Sequence, residues 1–188
     1  MAGVWVFGYG SLVSPESFGA TVRRELRPGV DFFDAEARGF GRRWNYGVMH
    51  VTGTGTDPVG STRDYTIVAL GLVRSQRDRV NGVVGWVEHD ELIELDHRER
   101  HYDRVDVTDD VVVDVAAGSL DGRVALYLPR PEAVAHYERA RDLGTAAIDR
   151  RYWDLVDGAF AARGDEAHAK YRSTTPWPDV PILPLRRR

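Results

Sequence analysis

Apolar positions fall in short runs through the first part of the chain and at helical spacing towards its end. Residues 3–8, GVWVFG, are predicted as a short buried strand. Ser14-Pro15-Glu16 then supplies an N-cap, a proline at the first helical position and an early acid, so a helix is predicted from about residue 15. The stretch 32–51 predicts two strands with Gly39 and Gly41 at a bend or bulge. Residues 52–64, TGTGTDPVGSTRD, carry no apolar period and read as a mobile loop. Two further strands are expected at 66–73 and 83–89, separated by the polar connection RSQRDRVNG with a turn at Asn81-Gly82. The period then changes over 89–102, with Asp90 as the expected N-cap. Strands return in the β-branched run 103–115 and in VALYLP, 124–129. After Pro131 the segments 131–144 and 147–164 carry apolar residues at the 3.6-residue period, and a proline-rich tail closes the chain. Strands first and helices afterwards predict an α+β fold with a mixed sheet or small barrel. There is no internal repeat and no boundary between two cores.

One helical face carries an acid. On a helix over 91–101, Leu92, Leu95 and Glu99 stand at i, i+3 and i+7, so an inward leucine face carries Glu99 with it. A buried carboxylate must be paired or used, because burial disfavours its charge and raises its pKa towards the range where it exchanges protons near neutral pH. The alternatives are an ion pair with Arg98, Arg100 or Arg104, or exposure at the helix end. His97 and His101 have the i, i+4 spacing of two metal ligands. Glu99 lies about 200° round the helix from each, however, so the three cannot converge, and no metal is expected.

Composition narrows the classes. With 188 residues, 43% of them hydrophobic, the chain is long enough to bury a core in one domain. It has no cysteine, which excludes disulfides, thiolate nucleophiles and Cys-based metal sites. The net charge of −4 argues against nucleic-acid binding, and the terminal LRRR reads as a solvated tail. No apolar run reaches the roughly 18 residues of a membrane span, and the N-terminus lacks the positive region of a signal peptide. A cytoplasmic protein that acts on a small molecule is expected. Its oligomeric state is open, a dimer included.

Gly8-Tyr9-Gly10-Ser11 lies between the first strand and the first helix. A dinucleotide fingerprint fails because Val13 occupies its third glycine position. A nucleophile elbow fails because Tyr9 and Val13 flank Ser11 where glycines belong. Two readings stay open. One is a tight turn; the other is a nest of backbone N–H groups before a helix N-terminus, suited to a carboxylate or an oxyanion.

Four motifs in order, VFGYGSL (6–12), GFGRRWN (39–45), VNGVVGWV (80–87) and LDHRERHY (95–102), resemble the γ-glutamylcyclotransferase-like superfamily, nearest its ChaC-type branch. The resemblance covers residues 3–130. It implies a compact small-barrel fold with flanking helices and an enzyme that releases 5-oxoproline from a γ-glutamyl peptide, amine or glutathione, without cofactor or metal. It places the catalytic glutamate on Glu99, the γ-glutamyl-binding loop on Gly8, Tyr9, Gly10, Ser11 and Leu12, and a further tyrosine on Tyr127. Residues 131–188 match nothing in the family pattern, so a domain at 1–130 with a helical C-terminal extension packed on it is expected. The alternative within this fold is a non-catalytic protein that binds γ-glutamyl ligands.

Overall fold

The computed structural model describes residues 3–113 and 120–188. The first strand, β1, spans Gly3–Gly8. A 3₁₀ turn, Ser11–Val13, follows, and then helix α1, Pro15–Val22. The Ser14 side chain accepts the Ser17 N–H at 3.1 Å, so the predicted N-cap and N1 proline are both in place.

Two long strands form the backbone of the fold: β2, Phe32–Thr56, and β3, Thr62–Glu88. They run antiparallel over their whole length and replace the four shorter strands expected from sequence. Gly39 sits in the first of three register shifts with φ +78°, and residues 75–78 have only Gly39 opposite them. The polar connection is therefore a wide bulge rather than a turn. Bulges bend a ribbon without ending it. Asn81 and Gly82 pair with Glu36 and Ala35 inside the ladder. Glycine is needed at 82 because a Cβ there would overlap the carbonyl oxygen of Gly8. The expected loop 52–64 is mostly ladder as well: Thr52–Thr56 pair with Thr62–Thr66 around a turn at 57–61. Asp57 fixes that turn by accepting the Val59 and Ser61 N–H groups at 3.0 and 2.8 Å.

Helix α2, His89–Arg98, starts one residue before the predicted cap. Glu88 is the N-cap, and its N–H donates to Glu91 at 2.9 Å in a reciprocal capping box, leaving Asp90 in the first turn. The chain continues through β4 (Tyr102–Asp106), β5 (Val111–Val113), β6 (Val124–Pro129), α3 (Pro131–Asp142) and β7 (Ala146–Asp149). It ends in α4 (Arg150–Ala161), α5 (Asp165–Thr174), β8 (Ile182–Leu183) and β9 (Arg186–Arg187). Residues 114–115, the end of the predicted β-branched strand, lie outside the described residues. The proline-rich tail is not free: Arg186 and Arg187 pair with β2, while Arg187 lies 3.7 Å from buried Asp149.

All strands join one mixed nine-stranded sheet, ordered β4-β6-β1-β3-β2-β5, with β7 and β9 added on β3 and β2 and β8 on β7. The main core holds Phe7, Phe18, Phe32, Phe40, Leu70, Leu95 and Leu126. Burial of each contributes about 1.5–3 kcal/mol. Residues beyond 131 enter the same core through Tyr137, Ile148, Val156, Phe160 and Tyr171. α4 lies against the 3₁₀ turn that follows β1, and this places helical side chains beside the glycine loop.

Candidate active site

The loop after β1 is fixed from three sides. The Tyr9 carbonyl accepts the Arg42 Nε–H at 3.0 Å, and the Tyr9 hydroxyl donates to the Tyr127 carbonyl at 2.7 Å. Val13 N–H donates to the Gly10 carbonyl at 3.0 Å, closing the 3₁₀ turn. Among the described residues, the N–H groups of Gly10, Ser11 and Leu12 have no acceptor. Orphan N–H groups at a turn of this kind are donors waiting for a partner.

Glu99 closes α2, with its N–H donating to Leu95 at 2.9 Å. Leu95 is fully buried and Leu92 packs on the core, so the face they share with Glu99 turns inward. The Glu99 side chain is 14% exposed. The inward face and the ion pair are realised together, and exposure at the helix end is not. It is turned inward, and Oε1 lies 3.1 Å from Nε of its neighbour Arg98. Arg104 pairs instead with Asp96 at 3.0 Å. Arg98 also donates to the Ser17 carbonyl and the Ser11 hydroxyl, each at 3.0 Å. One guanidinium thus ties Glu99 to the glycine loop. Burial raises the Glu99 pKa above the ordinary carboxylate value, and Arg98 opposes that rise only in part.

Tyr9, Gly10, Ser11, Leu12, Glu99 and Tyr127 line one narrow cleft of about 40 Å³. Phe7, Leu70, Tyr102 and Tyr152 complete it. Gly8 is not part of the lining; its carbonyl backs onto Gly82. Tyr127 borders the cleft, but its hydroxyl donates to Asp96 at 2.7 Å. That hydroxyl is committed to holding α2 against β6.

Sequence reasoning missed Tyr102 and Tyr152. Tyr102 ends the LDHRERHY motif, and its ring stacks on Tyr46 with centroids 4.3 Å apart. Tyr152 comes from α4, where only a helical period was visible; its hydroxyl accepts the Leu70 N–H at 3.3 Å. Burial and the nearby Glu99 carboxylate raise the pKa of Tyr9 and Tyr102, and they push Tyr46 up to about 12. The cleft is a neutral phenolic cage around one acid. Among the described residues, no group of three or more His, Asp or Glu side chains is placed to hold a metal.

No protein-family model and no curated protein matches the chain. Solved structures do. A gamma-glutamyl cyclotransferase is 18% identical, with a TM-score of 0.52 over 94% of this chain and 90% of its own. An uncharacterized protein from Homo sapiens is 18% identical, with a TM-score of 0.53 over 96% and 94%. A yeast gamma-glutamyl cyclotransferase described as specific to glutathione is 14% identical, with a TM-score of 0.53 over 92% and 97%. The chain has the γ-glutamylcyclotransferase-like fold.

Proposed function

We propose that the chain is a γ-glutamylcyclotransferase of the ChaC-type branch, acting in the cytoplasm on a γ-glutamyl compound. The observation that carries this reading is a mostly buried carboxyl, Glu99, lining one cleft with a loop whose N–H groups lack acceptors. The substrate's α-amine attacks its own γ-carbonyl. A C–N bond closes the five-membered lactam, the original amide C–N bond breaks, and the amine departs with a proton. Tethering the nucleophile to the electrophile removes most of the entropic barrier. Glu99 takes the proton from the attacking amine and returns it to the leaving amine, so no proton is gained or lost overall. The N–H groups of Gly10, Ser11 and Leu12 hold the α-carboxylate or the developing oxyanion, and each oxyanion donor contributes about 2.7–4 kcal/mol.

Incubation with glutathione, γ-glutamyl-alanine and γ-glutamyl-lysine, followed by mass spectrometry of 5-oxoproline, tests this. Release from at least one is expected; binding of 5-oxoproline with no release from any would leave a ligand-binding protein. Glutathione heads the panel because the yeast structure of this fold is described as specific to it.

Arg98 sets the working pH. Its charge lowers the Glu99 pKa against the opposing effect of burial. In Arg98→Met that restraint is gone, and Glu99 holds its proton to higher pH. A base must be deprotonated to act, so the acid limb of the kcat/KM profile should move to higher pH in Arg98→Met. An unmoved limb would assign the limb to another group.

A further inference from the structure

Arg42 is fully buried, and among the described residues no carboxylate lies within ion-pairing distance of it. A buried cation without a counter-ion is costly, and such a group persists where hydrogen bonds and ring faces replace water around it. Arg42 has both. Its guanidinium lies against the stacked Phe160 and Tyr171 rings, 4.9 and 5.1 Å from their centroids. It donates to the Tyr9 and Asn81 carbonyls and, at 3.0 Å, to the Thr175 hydroxyl. Burial lowers its pKa to about 10, still far above neutrality, so it stays charged.

Resting on the cyclotransferase reading, we propose that Arg42 is a positioning residue that turns the Tyr9–Gly10 peptide so that the Gly10 N–H faces the cleft as a donor to a substrate oxygen. In a trans peptide the C=O and N–H point in opposite directions. No cis bond occurs among the described residues. With the Tyr9 carbonyl drawn to Arg42 at 3.0 Å, the Gly10 N–H is directed away from Arg42. Gly10 lines the cleft and Arg42 does not, and the N–H has no acceptor in the described residues. A full charge on the carbonyl end also polarises the peptide and strengthens its N–H as a donor. The same guanidinium reaches Thr175, just past α5, so the C-terminal helices supply part of the clamp that orients the loop.

The test uses Arg42→Met and the milder Arg42→Lys in the full-length protein, with two readouts. Amide ¹H–¹⁵N spectra of the free protein should show the Gly10 resonance displaced in both variants, while resonances of the turn 57–61, at the distal end of the β2–β3 ribbon, keep their positions. In 5-oxoproline release, kcat/KM should fall by about 10²-fold in Arg42→Met, with a smaller loss in Arg42→Lys, which keeps the charge. A fall in kcat places the donor on the developing oxyanion, and a rise in KM places it on the bound α-carboxylate; both support the assignment. If Arg42→Met does not fold, Arg42→Lys decides alone. A folded variant with an unmoved Gly10 amide, or with the parental kcat/KM, overturns it. Should the wild-type protein release no 5-oxoproline, the cyclotransferase reading fails while the amide spectra still decide the orientation of the peptide.

Discussion

Glu99→Gln is expected to cut 5-oxoproline release by about 10²–10⁴-fold and, at the same time, to raise the melting temperature at pH 8. The first effect follows because glutamine keeps the shape and the acceptor facing Arg98 but cannot carry a proton. The second follows from the sign of the pKa shift. Burial lifts the folded-state pKa of Glu99 above its unfolded value, so between the two values the folded protein binds more protons than the unfolded chain. Stability contributed at this site is therefore greatest below the unfolded pKa, near 4.5, and is lost as pH rises through the folded value. Glutamine carries no charge to desolvate and is free of that loss. The melting-temperature gain of the variant over the parent should be small at the acid end, grow with pH and then level off. Differential scanning fluorimetry from pH 4.5 to 8.5, run beside the product assay, measures both. Equal turnover in variant and parent would remove Glu99 from the chemistry; a gain that shrinks with rising pH would show that Arg98 outweighs burial.

The two effects belong together. An acid held against an apolar face is a cost to folding that function can retain, a familiar exchange of stability for activity. Arg98 limits the cost without abolishing it. Because its other donors reach Ser17 and Ser11, the same side chain also fixes the distance between acid and loop. The cage of Tyr9, Tyr102, Tyr127 and Tyr152 adds bulk that excludes water and brings no competing charge.

How much of this was legible in the sequence depends on whether the signal was local. Ser14-Pro15-Glu16 marked the helix start because capping is a matter of adjacent residues. The inward Glu99 followed from helical geometry and two leucines. The long β2–β3 ribbon did not follow, because bulges absorb the polar stretch 74–79 that reads as a connection, and a strand with a bulge carries the same composition as two strands with a loop. Asn81-Gly82 looked like a turn for a local reason, yet Gly82 answers to Gly8, distant in sequence. Arg42 stands within the GFGRRWN motif, but only its packing against the stacked Phe160 and Tyr171 rings reveals that its charge is buried. Tyr152 carried no signal at all: a tyrosine on an amphipathic helix is ordinary until the helix is placed beside the glycine loop.

That placement sets the second large effect. A Cβ on Gly10 would stand 3.1 Å from the Tyr152 hydroxyl oxygen and 3.7 Å from the Leu70 Cβ, closer to the oxygen than an unstrained contact. Gly10→Val adds two further methyl groups at the same place, on a residue that lines the cleft. Product release should fall below detection and 5-oxoproline binding, by calorimetry, should weaken at least about 10²-fold, because an ill-placed group at a reacting centre costs that much even without filling it. The fold should survive with a loss of about 1–3 kcal/mol, the usual range for overpacking. Gly10→Ala combined with Tyr152→Phe separates the two causes. Removing the hydroxyl gives the alanine methyl room, at the expense of about 1 kcal/mol for the Leu70 N–H that loses its acceptor. The double variant should recover binding that Gly10→Ala alone lacks. Recovery would mean that glycine is required at position 10 because Tyr152 approaches it across the cleft, and undiminished binding in Gly10→Val would reduce the loop to a turn.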